Sequence, residues 1–213
     1  MEGVVSHGKF RVQHQRFRHI EKLVPILFHD RIDSMRSLTP DETILGLLAV
    51  QARHGYELLE CFRSPHQLGR VWKLSTSQIY AVLKRLEREG WILGHEVASE
   101  NAPPRTEYTL TNRGEERLQD WLNDPQPSAS IRCIRVEFLS RLYVAQQLSL
   151  SMDASVRYQR EACIAAHTQL ISERQHAESG IDFLALELHI SQLEAVLHWI
   201  ERCVFPPFEP NSP

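Results

Sequence analysis

Length, composition and charge describe a globular protein without a strong overall signal for one class of partner. The chain has 213 residues, of which 42% are hydrophobic and 24% are charged, enough apolar material for a buried core. This composition excludes a wholly disordered protein, a collagen-like protein and a disulfide scaffold. The formal net charge is −3, so any nucleic acid would have to be bound by a local basic surface.

The cysteines and apolar segments favour a reduced protein of the cytoplasm. The four cysteines contain no C-x-x-C pair, and we expect free thiols in a reducing compartment. The apolar run at residues 44–50 is far shorter than the roughly 20 residues of a membrane span. The N-terminus also lacks the apolar segment of a secretory signal. We therefore expect a cytoplasmic location and no membrane partner.

Three segments follow one another along the chain. Residues 1–38 have seven basic residues, four acidic residues and four histidines without a clear period, and we interpret them as an N-terminal extension of unknown role. Met35 offers an alternative translation start. Residues 39–124 hold most of the recognisable pattern. A break rich in Pro and Ser then leads into residues 125–213, which we expect to be helical before a frayed, proline-rich tail.

The middle segment predicts the order of elements found in a winged helix-turn-helix. Thr39 and Pro40 are typical of a helix start, Ser75 caps a third helix, and Gly90 ends it. His54 is interpreted as a residue at the start of the second helix. We expect helices at about 40–51, 56–62, 75–89 and 111–123, with a hairpin wing over residues 92–110.

The third helix has one apolar face and one polar, cationic face. Its apolar positions recur at the spacing of a buried stripe: Ile79, Val82, Leu83 and Leu86. Lys84, Arg85 and Arg88 stand among the polar positions, and Glu87 is the one acid between residues 70 and 88. Such a face is often simply solvated, but here a capped start and a hairpin with a basic tip accompany it.

We interpret this helix as a DNA-recognition helix. An α-helix about 10–12 Å wide fits the major groove, and Gln78 can pair bidentately with adenine. Lys84, Arg85 and Arg88 can neutralise phosphates. Arg105, near the hairpin tip, can reach the backbone or the minor groove.

Three motifs in this segment resemble the PadR-type transcriptional regulators: residues 54–58 (HGYEL), 77–92 (SQIYAVLKRLEREGWI) and 104–114 (PRTEYTLTNRG). The resemblance covers about residues 42–124 and implies a winged-helix domain, a helical C-terminal dimerisation region and a role as a bacterial repressor. It also implies that Tyr56, Tyr80, Tyr108, Lys84 and Arg105 lie at or near the DNA.

The chain departs from the family pattern at two positions of the third helix. Ala81 stands where the family often has proline, and Gln78 stands where a small or aliphatic residue is usual, so no base preference is carried over. The complete set of candidate DNA-binding residues is Tyr56, Lys73, Ser75, Thr76, Ser77, Gln78, Tyr80, Ala81, Lys84, Arg85, Arg88, Arg105 and Tyr108.

Apolar residues in the last helix recur in alternating steps of three and four, which is typical of a helix–helix seam. The seam predicts a homodimer, in which two recognition helices one DNA turn apart, about 34 Å, bind a palindromic operator. An intramolecular three-helix bundle is the alternative. The candidate dimerisation residues are Phe183, Leu186, Ile190, Leu193, Leu197, Ile200 and Val204.

Four aromatic residues, Trp121, Phe138, Tyr143 and Trp199, are candidates for a pocket that binds an aromatic small-molecule effector. Ordinary core packing is the alternative for each of them. Cys163 and His167 provide at most half of a metal site, so we expect a packed thiol and a surface imidazole. Glu194 and His198 are interpreted as a surface pair.

No phosphate-binding loop, nucleophile elbow or H-E-x-x-H motif occurs in the sequence. We therefore expect neither an enzyme nor a bound cofactor or metal. The sequence predicts a mostly α-helical, homodimeric, sequence-specific DNA-binding regulator, a repressor that a small-molecule effector releases. The alternative is a winged helix that binds proteins and not DNA.

Overall fold

The computed structural model describes residues 38–99 and 102–202. Within these ranges the fold is mostly helical, with one small antiparallel sheet. The elements are α1 (Asp41–Val50), β1 (Arg53–His54), α2 (Gly55–Arg63), α3 (Thr76–Arg88), β2 (Ile92–Ser99), β3 (Ala102–Leu110), α4 (Asn112–Leu122), α5 (Ile131–Cys133, Ile134–Phe138 and Leu139–Gln147), α6 (Asp153–Arg174) and α7 (Ile181–Arg202).

The first helices and the sheet form a winged helix around one apolar core. The predicted stripe of α3 is fully buried, and it packs with apolar residues of α1 and α2. Val144 and Ala145 of α5 belong to the same cluster. Burial of each large aliphatic side chain in such a core contributes about 1.5–3 kcal/mol. This core fixes α3 to the rest of the domain by its apolar face, which leaves its other face free.

The sheet contains a strand that the sequence pattern did not predict. β2 and β3 form the predicted hairpin, and β3 lies in the middle of the sheet because β1 pairs with its other edge. In that pairing Arg53 is opposite Tyr108 and His54 is opposite Glu107. Since β1 has two residues, it is too short for a period of two to be visible in the sequence.

The C-terminal helices surround a second, smaller cluster of apolar residues. Ile134, Phe138 and Leu142 of α5 pack with Cys163 of α6 and Leu193 of α7. Residues Ile134–Phe138 form a π-helical turn within α5, in which the Leu139 N–H donates to the Ile134 carbonyl. No helix in the described part of the chain is long and apolar enough to cross a membrane.

The predicted helix boundaries agree with the structure to within a few residues. Ser75 and Thr111 cap α3 and α4 as expected, and His54 stands at the start of α2. The predicted start of α1 at residue 40 was one residue too early, because Pro40 is the N-cap of a helix that begins at Asp41. Pro40 makes no side-chain capping bond. The predicted extension, apart from Leu38, and the predicted tail lie outside the described residues, as do Val204 and Cys203.

Candidate nucleic-acid interface

The start of α3 is held by a capping box. The Ser75 hydroxyl accepts a hydrogen bond from the Gln78 N–H at 3.3 Å, and the Gln78 side-chain oxygen accepts one from the Ser75 N–H at 2.8 Å. The S-x-x-Q spacing is the sequence signal for this arrangement. Because the Gln78 oxygen is engaged in the cap, bidentate pairing with adenine would require this bond to break.

The polar face of α3 is open along its whole length. Ser77, Ala81, Lys84 and Arg88 are exposed, as is Lys73 just before the helix. The Thr76 hydroxyl accepts from Arg63 of α2 at 3.1 Å, which ties the first turn of α3 to the preceding helix. Arg88 lies 3.3 Å from the neighbouring Glu89 in an exposed pair of the kind that contributes little stability. The face is therefore positioned by rigid elements and accessible to a duplex.

Arg85 has a structural role that its spacing in the sequence does not predict. Its guanidinium pairs with the carboxylate of Asp41, which is buried at the start of α1. We expected Arg85 to neutralise a phosphate, but a buried carboxylate without its cation is costly. The pair turns Arg85 toward α1, and Lys84 and Arg88 remain as the exposed cations of the helix.

The three candidate tyrosines occupy different environments. Tyr56 and Tyr80 are exposed, and Tyr80 lies directly over Gly55, where a Cβ would come within 2.8 Å of its ring. Tyr108, which the resemblance placed at or near the DNA, is only 8% exposed. Burial raises the pKa of Tyr108, and the nearby Glu87 and Tyr80 raise it further. Tyr108 therefore supports the wing from beneath.

The wing is attached to α3 by a polar contact. The Gly94 N–H of β2 donates to Glu87 Oε1 of α3 at 3.1 Å. Arg105 is exposed on β3, opposite Val97 and closer to the hairpin tip. In the sequence Glu87 is only the single acid of a basic helix, and the folded hairpin reveals its partner.

A buried hydrogen bond joins the helix-turn-helix to α5. The indole Nε1–H of Trp72, in the segment before α3, donates to the Ser140 hydroxyl at 2.8 Å. That hydroxyl in turn donates to the Val136 carbonyl of the π turn at 2.7 Å. Trp72 also meets Phe62 edge to face, with ring centroids 6.3 Å apart. The turn that leads into α3 is thereby anchored to the helix that begins the C-terminal region.

The candidate dimerisation residues are divided between the chain's own core and its surface. Ile190, Leu193 and Ile200 are buried within the single chain, Leu186 and Leu197 are partly buried, and Phe183 is exposed. A second stripe of α7 is more open: Ile181 is 84% exposed, Leu184 62% and Leu188 57%. The buried positions match the intramolecular alternative, whereas the exposed stripe is available to another molecule.

The four candidate pocket aromatics do not form one site. Phe138 and Trp199 meet edge to face at 6.3 Å, whereas Trp121 and Tyr143 pack against the winged-helix core. A cavity too narrow to admit a water molecule lies beside Phe138, and none of the other three aromatics lines it. The structure therefore does not bring these four aromatic residues together in one pocket.

Arg141 lines the same cavity and is almost completely buried, with 1% of its side chain exposed. Its guanidinium lies 3.5 Å from Asp124, 3.3 Å from Glu137 and 5.4 Å from the centre of the Trp121 ring. Its Nε and Nη1 atoms have no partner among the described residues. No sequence pattern distinguishes Arg141, because the sequence of a helix does not show whether a single arginine is buried or exposed.

The candidate metal and surface pairs have ordinary packing roles. Cys163 is buried beside Gln159, and burial raises the pKa of its thiol. Glu194 does not pair with His198 as expected. Its Oε1 atom lies 3.2 Å from Nε2 of His167 on α6, within hydrogen-bonding distance. No cluster of three metal-ligating side chains occurs in the residues that the structure describes.

A comparison with known protein families finds a match to the winged helix. The Transcriptional regulator PadR-like family matches residues 44–120, from α1 to the end of α4. Residues 44–120 are therefore similar to the PadR-like family of transcriptional regulators. This PadR-like region contains the whole polar face of α3 and the wing.

Two curated relatives match the PadR-like region and residues beside it. A negative transcriptional regulator, PadR of Bacillus subtilis, is 35% identical over 106 residues, which cover 50% of this chain and 56% of that protein. A probable transcriptional regulator of Mycobacterium tuberculosis is 30% identical over 82 residues, covering 38% of this chain and 42% of that protein. The chain thus matches about half the length of these relatives.

Solved structures of Bacillus subtilis PadR are also similar. Its complex with operator DNA is 26% identical, covers 78% of this chain and 96% of that chain, and has a TM-score of 0.41. Its complex with p-coumaric acid is 28% identical, covers 76% of this chain and 94% of that chain, and has a TM-score of 0.36.

Proposed function

We propose that this protein is a sequence-specific DNA-binding transcriptional regulator that represses its target. The observation that carries the proposal is the open, polar and cationic face of α3, held beside a wing that presents Arg105. Such a helix can enter the major groove while the wing contacts the flanking backbone. Repression is supported by the 35% identical relative, a negative transcriptional regulator.

The first experiment separates DNA binding from protein binding. Replacing Lys84 and Arg88 together with Ala should weaken binding to all duplexes and reduce the slope of log affinity against log salt by about 2. The control is Arg132→Ala with Arg135→Ala, since these two residues are exposed on α5 and give the same change in charge. If the wild type shifts no duplex even at low salt, the winged helix is a protein-interaction module.

We propose further that the protein binds as a homodimer. The exposed stripe of Ile181, Leu184 and Leu188 supports this, because soluble chains rarely leave a row of large aliphatic side chains in water. A two-fold dimer requires a palindromic operator with half-sites about 34 Å apart. Footprinting on the DNA that flanks the gene should show two symmetric protected half-sites. One asymmetric half-site would contradict the dimer.

We propose also that a small aromatic effector releases the protein from DNA. The buried Arg141 beside Phe138 supports this regulation, because its Nε and Nη1 atoms have no partner among the described residues and an acidic effector that opened this space would bind there. A suitable first probe is p-coumaric acid, with which the Bacillus subtilis relative was solved. Tryptophan fluorescence should change on titration in the wild type and much less in Phe138→Leu. A flat response over a panel of aromatic acids would contradict this regulation.

A further inference from the structure

Glu87 presents a conflict between its charge and its location. It lies on the helix that we propose to meet DNA, where a carboxylate repels phosphates. It is the one acidic residue from Thr76 to Arg88. Electrostatics alone would predict that removing this charge strengthens DNA binding.

The structure gives Glu87 a partner that is not a cation. Its Oε1 accepts the Gly94 N–H of β2 at 3.1 Å, so the carboxylate joins α3 to the wing. Gly94 pairs with Tyr108 across the hairpin, and the proximity of Glu87 contributes to the raised pKa of Tyr108. Glu87 thus lies against both strands at the same level of the wing.

Gly94 has no room for a side chain at this contact. A Cβ there would lie 2.7 Å from Glu87 Oε1, 2.9 Å from Thr106 Cγ2 and 3.2 Å from the Tyr108 ring. A side chain at position 94 would therefore push the carboxylate of Glu87 away from the Gly94 N–H.

We propose that Glu87 is the positioning residue that fixes the wing relative to the recognition helix, so that Arg105 and the face of α3 contact one duplex together. This inference rests on the proposed DNA binding. In the hairpin register, Arg105 lies three residues beyond the level of Gly94, which is about 10 Å along an antiparallel strand. A rotation of the wing of about 20° at Gly94 would move Arg105 by about 3 Å, which is the length of a hydrogen bond.

Two substitutions separate positioning from charge. Glu87→Gln removes the charge and keeps a side-chain oxygen that accepts the Gly94 N–H, so DNA affinity should be equal to or higher than that of the wild type. Glu87→Ala removes both, so affinity should fall. Gly94→Ala keeps the carboxylate but should push it away from the Gly94 N–H, so it should behave like Glu87→Ala. Glu116→Ala, at an exposed acid of α4, controls for net charge.

A double-mutant cycle with Arg105→Ala measures the coupling itself. In the wild type, Arg105→Ala should weaken DNA binding by about tenfold, the effect of one charge-assisted contact. In the Glu87→Ala background the same substitution should change affinity by less than about twofold. If Glu87→Ala and Glu87→Gln strengthen binding alike and Arg105→Ala keeps its full effect, Glu87 is only a repulsive charge and the proposal is overturned.

Amide hydrogen exchange tests the contact without DNA. The Gly94 N–H should exchange faster in Glu87→Ala than in the wild type or Glu87→Gln, because only the alanine variant leaves it without an acceptor. Equal exchange in all three proteins would overturn the proposal. If the wild type does not bind DNA, the proposed function fails, while this measurement still reports whether Glu87 holds the wing.

Discussion

The winged helix and the C-terminal helices achieve burial in different ways. In the winged helix, Ile44, Leu58, Leu83 and Leu86 are completely buried by their own domain. The long helices α6 and α7 bury few side chains, and α7 exposes Ile181, Leu184 and Leu188. The first region has a complete core, whereas the second leaves an apolar surface exposed in the single chain.

The largest expected effect is on the core of the winged helix. Leu83→Ala should lower the free energy of unfolding by about 2–5 kcal/mol, because it creates a cavity beneath α3. The comparison substitution is Leu93→Ala on the exposed side of β2, which should change stability by about 0.5 kcal/mol or less. Urea unfolding of both variants measures the difference, and equal losses would mean that the core beneath α3 is not tightly packed.

The second prediction concerns the exposed stripe of α7. Leu184→Glu with Leu188→Glu should convert a dimer to a monomer in light scattering, because two buried charges oppose association. In the wild type, thermal unfolding of the C-terminal helices should depend on protein concentration. Thr168→Glu on α6 with Gln175→Glu at the C-cap of that helix, both at exposed positions, should leave the mass unchanged. A wild type that is already monomeric would remove the distinction between the two regions.

The third prediction addresses the bond that joins the two regions. Ser140→Ala leaves the buried Trp72 N–H without an acceptor, which should cost about 1–3 kcal/mol. Ser140→Thr keeps a hydroxyl and serves as the conservative comparison. If the bond also aligns α3, Ser140→Ala should weaken DNA binding at temperatures where the variant is fully folded. Unchanged stability would mean that water replaces the hydroxyl.

The smallest effect at neutral pH concerns Tyr143. Burial raises its pKa to about 12, above the ordinary value of 10. Because the folded-state pKa is the higher one, the contribution of Tyr143 to stability is complete below pH 10 and is lost as pH rises toward 12. Absorbance at alkaline pH should show a late-titrating phenol that Tyr143→Phe removes. Tyr56→Phe, at an exposed position, should leave that late phase intact.

The sequence predicted the elements whose signals are local. The cap at Ser75, the period of the α3 stripe and the strands of the wing each depend on residues close together in the chain, and all are present in the structure. The winged-helix fold follows from their order. The assignments of Lys84, Arg88 and Arg105 to DNA contact remain predictions.

The features that were missed depend on contacts between distant residues. Arg85 pairs with Asp41, Gly94 with Glu87, and Trp72 with Ser140, and none of these partners is visible from spacing. For the same reason, periodicity alone did not reveal that Ile190 and Leu193 face their own chain. A stripe shows that a helix face is apolar, and only the fold shows what covers it.

The π turn determines the direction of the half of α5 that follows it. A bond that spans five residues accommodates about one residue more than an α-turn, equivalent to roughly 100° of rotation. Ile134, at the start of the π turn, faces the smaller core. After the turn, Ser140 and Arg141 point toward Trp72 and Trp121, and these side chains would point in other directions if α5 were an uninterrupted α-helix. The alignment of the two regions thus depends on a residue count as well as on residue identity.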